Sequence, residues 1–590
     1  MASAQLRNWI GRLGLKLSQE RSEVHHFQSH QKLLEDLSQA QNLLLENPYC
    51  LPLYVFSAQC YHWLGFPDLA AGEAYKALLL SDAIQDESDE YHEHAVDALT
   101  SVITFLPADE KRHVSIAGLN DSHDRDVIVS NARQWLTSLY LPLIYRILIR
   151  SLLTCGCYRT AFFYCSRARQ LFSLDADLQQ IQSEVHNEVA DRLNVTLQSV
   201  ETGEHSNSTT WPDSGYVRRE YYPWNHHEPN RLEELSVINT MMNQVAPKLE
   251  VLAVELPMLT DTISDNRSVT TRQLGVFAKE DVTPGEVVLD ETSMLTANNK
   301  LQDALCDACS ADLPQLDSPE ANTTTSCPDC ESVFCSERCY DLALELYHPA
   351  LCGMDVEAIA KDVPPAQAAD SLYSLLLLRT FAMAETQQCH PLELKEVKYI
   401  WGDFHDMSLE KHWRASNGGQ PDFCGLPKTI PFNFEHNIRL PFHMLEKMDI
   451  DIFANPQYDV WVSNTLYAKF RGTASARLSG LGGRAIRGPE VSAVHSMWCM
   501  ANHSCDPNVS WEWGGSINFW AREKRIAWEK DGEETYRSAP GIKKGEEIFN
   551  HYCDIDLPVK ERREWARGSL GGDCRCARCT WEAKVVQQHG

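Results

Sequence analysis

The chain has 590 residues, with 53 Lys and Arg against 82 Asp and Glu, a formal net charge of -29, and 20 cysteines. At roughly 100–200 residues per domain the length excludes a single small module. The acidic balance argues against direct nucleic-acid binding and suits a basic protein as partner. The cysteines are too sparse for a disulfide scaffold and fall at metal-type spacings, which points to a reducing compartment.

The N-terminus has no signal-peptide core. Leu6, Ile10, Leu13 and Leu17 share a helical face beside Arg7, Arg12 and Lys16, like a mitochondrial presequence, but Glu20 and Glu23 follow and favour an ordinary first helix. No run is expected to be long and apolar enough to span a bilayer, so no membrane partner is expected. Residues 1–200 read as helices, with apolar residues three and four apart. Leu53, Tyr54, Ala58, Tyr61, Leu64, Gly65, Leu69, Ala70 and Ala74 resemble a tetratricopeptide (TPR) helical hairpin, and Tyr145 to Leu171 reads as a weaker second copy. The polar stretch 201–240 reads as a linker, although Gly215 to His227 is so rich in aromatics that it should dock onto a neighbouring domain.

From about residue 270 the pattern changes to short strands. Val269 to Leu274 and Glu286 to Glu291 flank Thr283-Pro284-Gly285, as in a small hairpin. A helical region over Gln367 to Ala384 interrupts the strands, which resume at the Trp-rich Asn508 to Trp528.

Two cysteine groups have metal-ligand spacing. The first reads Cys306-x2-Cys309, Cys327-x2-Cys330, Cys335-x3-Cys339 and His348-x3-Cys352. Eight soft ligands divide into two tetrahedral zinc sets. The expected assignment is interleaved, with Cys306, Cys309, Cys335 and Cys339 on one ion and Cys327, Cys330, His348 and Cys352 on the other. The second group, Cys574-x-Cys576-x2-Cys579, is one ligand short of a closed site. Cys505 is the expected fourth ligand; Cys553, Cys499 and His551 are alternatives. Three Zn2+ ions are therefore expected, and the nine other cysteines read as core residues.

Ordered motifs carry a family resemblance. Gly275-Val276-Phe277-Ala278, Val282 to Val288, Asn502-His503-Ser504-Cys505-Asp506-Pro507-Asn508 and Gly541 to Asp554 resemble the motifs of a SET domain. The first cysteine cluster resembles a MYND zinc finger and the tail a post-SET motif, so residues 240–590 are similar to the SET- and MYND-containing (SMYD-type) protein-lysine methyltransferases. The resemblance implies an α+β chain. A helical TPR-like domain (1–200) and linker (201–240) precede the first SET part (241–300), the MYND-like finger (301–353), a helical SET insertion (354–470), the SET core (471–556) and a zinc-binding post-SET tail (557–590). It implies methyl transfer from S-adenosylmethionine to protein lysines, histone or non-histone, in gene regulation. Tyr552 matches the catalytic tyrosine, and Gly275, Val276, Phe277, Asn502 and His503 match cofactor-contacting positions. Phe519, Trp520 and Trp528 could line a lysine channel, but their alternation reads first as core packing. A lysine-bearing basic substrate, Pro-rich ligands of the finger, and a nuclear or cytoplasmic location are the implied setting.

The chain departs from the family pattern at two places. Gln273-Leu274-Gly275 stands where the family has two glycines around a basic residue, and either Asn464 or Thr473 could fill an asparagine position. These departures keep open an alternative, a catalytically weak scaffold that recruits partners through its finger and helical repeats.

Overall fold

The computed structural model describes residues 5–10, 30–106, 125–218, 222–257, 270–299, 305–315, 317–356, 360–361, 363–364, 367–402, 428–477, 489–530, 533–570 and 572–589. Most of the presequence-like helix reading lies outside the described residues. The chain divides into two compact units: one of Met1–Arg218, Asp406–Arg439 and Asp451–Val460, the other of Arg219–His405, Leu440–Ile450 and Trp461–Gly590. The expected insertion over 354–470 is thus shared between them.

The first unit is built of paired helices. Leu51–Leu64 turns at Gly65, which takes the left-handed conformation (φ 79°), into Pro67–Gln85. The small residues Ala58, Ala70, Ala74 and Ala77 are all buried, which lets the backbones approach. A second pair, Leu141–Thr154 and Tyr158–Leu171, turns at Gly156 (φ 80°). Its residues Tyr145, Leu148, Leu152, Ala161 and Ala168 are buried, while Leu171 is exposed. Gly215–Arg218 pairs antiparallel with Lys428–Phe432 of the same unit, so the first part of the aromatic segment is held within its own unit by β-pairing rather than on a neighbouring domain.

Contrary to expectation, one helix has the length and hydropathy of a membrane span. The helix Asp126–Thr154 is long and apolar enough to cross a membrane by length and composition. Sequence inspection passes over it because Arg133, Arg146 and Arg150 interrupt the run. Leu136, Leu141, Ile144, Leu148 and Leu152 are buried in the unit, and Arg146 pairs with Asp175 at 2.7 Å.

The second unit is strand-rich. Strands β1 (Leu249–Pro257) and β2 (Thr270–Ala278) form an antiparallel pair with Val251 opposite Val276. β3 (Val287–Thr292), β4 (Thr296–Asn298), β5 (Ser475–Arg477), β6 (Val491–Ala493), β7 (Asn502–His503), β8 (Val509–Trp513), β9 (Ser516–Ala521) and β10 (Phe549–Asn550) follow. β9 lies between β8 and β3, β6 between β4 and β5, and β7 runs parallel to β10. The hairpin expected between the strands flanking Thr283-Pro284-Gly285 does not form. β2 pairs with β1, a strand the sequence reading places in no element, and β3 pairs with β9. The turn is instead met by a bridge between Val282 and Ile542. Val251, Val276, Leu289, Trp513, Ile517, Phe519, Ile542 and Ile548 meet in one core. Phe519 and Trp528 are buried, in keeping with alternation rather than a channel.

Candidate active site and metal centres

The parallel pairing of β7 and β10 brings distant parts of the chain together. Asn502 faces Phe549 and His503 faces Asn550, and side chains lace the two segments. Asn508 accepts the N–H of Phe549 at 2.8 Å and donates to the Glu547 carbonyl at 2.7 Å, while Ser504 N donates to the Asn550 carbonyl at 2.8 Å. Tyr552, two residues beyond β10, therefore lies against His503, with ring centroids 5.2 Å apart. Its backbone N–H donates to His503 Nδ1 at 3.0 Å, and its hydroxyl donates to the Ala501 carbonyl at 2.8 Å.

β2 supplies the opposite wall. Asn502 Nδ2 donates to the Leu274 carbonyl at 2.9 Å and to Glu547 Oε1 at 2.8 Å. A Cβ on Gly275 would lie 2.7 Å from Glu547 Oε1, 3.1 Å from the Phe277 ring and 3.2 Å from Asn502 Nδ2. The bare backbone is what makes room there. Val276 points the other way into the core, and its carbonyl accepts the N–H of Ile548 at 2.7 Å. Gly275, Phe277, Asn502, His503 and Tyr552 are thus brought to one place, with Val276 fixing the strand behind them. Of the two candidates for the family asparagine, both on the helix Val460–Thr473, Thr473 spends its hydroxyl on the Lys469 carbonyl at 2.7 Å.

The cysteines converge in three tetrads. Cys306, Cys309, Cys335 and Cys339 place their sulfurs within 4.8 Å of one another, as do the donor atoms of Cys327, Cys330, His348 and Cys352, and of Cys505, Cys574, Cys576 and Cys579. Around zinc at about 2.3 Å, a tetrahedral edge is about 3.8 Å between sulfurs and about 3.6 Å from sulfur to imidazole nitrogen. Cys309 to Cys335 measures 3.8 Å, Cys335 to Cys339 3.5 Å, Cys327 to Cys352 3.8 Å, Cys330 to His348 Nε2 3.5 Å and Cys505 to Cys579 3.4 Å. These are far from the roughly 2.05 Å of a disulfide, and the donor sets fit zinc. Cys327 is held down to about 6: burial opposes ionisation, and the backbone N–H groups of Asp329 and Cys330 together with the His348 and Cys330 side chains outweigh it. That is the direction a thiolate ligand needs.

The finger's two sets are held by local structure. The strands Thr325–Ser326 and Val333–Phe334 pair as a small hairpin, and Ser336 caps the helix Glu337–Leu346 that carries Cys339. In the tail, two buried arginines absent from the sequence reading fix the third set. Arg578 donates to the carbonyls of Cys505 and Ile555, both at 2.9 Å, and Arg562 donates to Cys579 Sγ at 3.5 Å. Their only sequence signal is proximity to the Cys-x-Cys-x2-Cys run. Cys553, an alternative fourth ligand in the sequence, stands outside the tetrad, is buried, and lies within 4.8 Å of Cys505 and His503. The alternatives Cys499 and His551 stand outside the tetrad and bond the Ser496 and Cys553 carbonyls.

His503 joins the two sites. Its Nε2 lies 3.4 Å from Cys505 Sγ while Nδ1 accepts from Tyr552. An accepting nitrogen carries no proton, so the ring is the neutral Nε2–H tautomer, and burial lowers its pKa to about 4.

A family model of the SET domain matches residues 273–553, a stretch that contains the whole of this cleft and the finger tetrads. The chain also matches N-lysine methyltransferase SMYD2 from Homo sapiens, at 30% identity over 93 residues. Over residues 273–553 the chain is thus similar to a SET domain, and over 93 residues to SMYD-type lysine methyltransferases. The Gallus gallus SMYD2 is 29% identical over 93 residues, and SMYD2-A from Danio rerio 30%. In each case the matched stretch is 16% of this chain and 18% of the relative's length.

Proposed function

We propose that this SMYD-type chain transfers a methyl group from S-adenosylmethionine to lysine side chains of proteins, histone or non-histone, in gene regulation. The observation that carries this reading is the convergence of Gly275, Asn502, His503 and Tyr552 on one cleft. The missing side chain at Gly275 lets the strand backbone approach Glu547, Phe277 and Asn502 closely, and the neutral Nε2–H tautomer of His503 supplies a flat, uncharged wall. When bound, the cofactor supplies an activated methyl group, and transfer needs no covalent nucleophile from the protein.

The chain's own residues position and shield. The Ala501 carbonyl and the Tyr552 hydroxyl present oxygens 2.8 Å apart, suited to orienting an incoming amine and a polarised methyl group. Three zinc ions hold the MYND-like finger and the post-SET tail, and metal binding supplies folding energy to segments with little apolar core of their own. The net charge of -29 favours basic, lysine-bearing substrates. Pro-rich ligands of the finger, TPR-type packing of the helices, and residence in the nucleus or cytoplasm complete the proposal.

Transfer of radiolabelled methyl from S-adenosylmethionine to histones or cell extract should occur and should vanish in Tyr552→Phe. Failure of the zinc-loaded protein to bind the cofactor would overturn the reading. Gln273 in place of a glycine favours a second reading, a weak enzyme acting as a scaffold, for which calorimetry would record no cofactor binding.

A further inference from the structure

The two adjacent glutamates Glu546 and Glu547 do different jobs. Glu546 accepts the Lys543 N–H at 2.9 Å and closes an exposed turn. Glu547 is half-buried, with Oε1 taking one bond from Asn502 at 2.8 Å, and among the described residues no lysine, arginine or histidine pairs with it. A carboxylate withdrawn from water normally has its charge compensated. The fully buried Glu291 shows the structural solution, accepting from the backbone N–H groups of Met497 and Trp498 and from the Ser496 hydroxyl. Glu547 has a single neutral donor, and burial raises its pKa against that one bond.

The amide beside it is oriented without ambiguity. Both partners of Asn502 Nδ2, the Leu274 carbonyl and Glu547 Oε1, are acceptors, so the nitrogen must face them. Both N–H groups are thereby spent and Oδ1 is left to accept. Glu547 and Asn502 Oδ1 therefore present acceptors only, where the backbone of Gly275 comes up closely to both side chains. Such a corner suits a small cation with several N–H donors and disfavours a carboxylate.

We infer that Glu547 is the specificity-determining residue for the α-ammonium of the methyl donor, with Asn502 Oδ1 as its second acceptor. This rests on reading the cleft as the cofactor site. It gives the SET-type Gly545-Glu546-Glu547-Ile548 run a division of labour, with one acid for the turn and one for the ligand. It also supplies a grip on the cofactor beside the position where Gln273 replaces a glycine.

The test is calorimetry on the full, zinc-loaded chain with two ligands, S-adenosylhomocysteine and its des-amino analogue, in which hydrogen replaces the ammonium. The unaltered protein should bind the first at least about tenfold more tightly, as a charge-assisted bond predicts. Glu547→Gln should lose that discrimination by weakening S-adenosylhomocysteine alone, and Glu547→Asp should retain more of it than Glu547→Gln. Retained binding of the analogue reports that the variants are folded. Equal weakening of both ligands, or of neither, would overturn the inference while leaving the methyltransferase reading in place. Absence of S-adenosylhomocysteine binding by the unaltered chain would remove both.

Discussion

His503 accepts the backbone N–H of Tyr552 at 3.0 Å through one ring nitrogen while the other lies 3.4 Å from Cys505 Sγ. The tail tetrad and the proposed catalytic tyrosine are therefore linked through one imidazole. Outer partners of this kind typically change affinity or activity by about 10–100-fold when removed. Cys576 belongs to the tetrad but hydrogen-bonds neither His503 nor Tyr552 through its side chain. Cys576→Ser should release one zinc and weaken S-adenosylhomocysteine by about tenfold or more, read by metal analysis and calorimetry. Loss of the ion with unchanged affinity would show that the tail and the cleft are independent.

The interleaving of the finger sets is open to a crossed comparison. Cys309 and Cys335 belong to one tetrad, and Cys330 belongs to the other. The double variant Cys309→Ser/Cys335→Ser should lose one zinc and Cys309→Ser/Cys330→Ser two, whereas sequential pairing predicts the reverse. The first set should outlast the second, because the surrounding unit holds its loop. Thr296 donates to the Ala308 carbonyl at 2.8 Å, Arg379 to that of Asp307 at 2.9 Å and Arg477 to that of Ser310 at 2.6 Å. Stepwise chelation followed by metal analysis checks the order.

What could be read from the sequence followed the range of the interaction. Cysteine spacing is legible because a short side chain in a Cys-x2-Cys turn reaches one ion wherever the rest of the chain goes. Asn502, His503 and Tyr552 are singled out by their motifs, and Cys505 by the missing fourth ligand, which the tetrad supplies. The strand partners were not legible. β3 looks like half of a local hairpin, yet its partner β9 lies more than two hundred residues away and is chosen by packing of Leu289 against Phe519. Glu547, Arg562 and Arg578 are ordinary surface residue types, and only the fold reveals that the arginines are buried and the glutamate half-buried.

The glycine at the cleft makes a sharp prediction. A methyl group at position 275 would meet Glu547 Oε1 at 2.7 Å and Asn502 Nδ2 at 3.2 Å. The closest atom is the end of a flexible side chain, so Gly275→Ala should cost under about 1 kcal/mol of stability. It should nonetheless displace the acceptors that line the cleft and weaken S-adenosylhomocysteine by about tenfold or more. Urea unfolding and calorimetry on the same preparation separate the two effects, and equal losses in both would mean that Gly275 serves the fold alone.

Glu291 makes stability depend on pH in an unusual direction. Its carboxyl is fully buried, and burial pushes its pKa from 4.5 up to about 7, against the N–H groups of Met497 and Trp498 and the Ser496 hydroxyl. The folded chain therefore holds this proton more tightly than the unfolded chain does. Its contribution to stability is full below about 4.5, is lost as pH rises toward 7, and changes no further above that. Glu291→Gln removes the titration; its single amide oxygen can serve the Met497 N–H and Ser496 hydroxyl but not also the Trp498 N–H, a loss that is the same at both pH values. The stability of the variant relative to the unaltered chain should rise between pH 5 and pH 8 by on the order of 2 kcal/mol. Urea unfolding at the two pH values measures it. A difference that stays constant would mean that Glu291 keeps its charge throughout, held by its three donors alone.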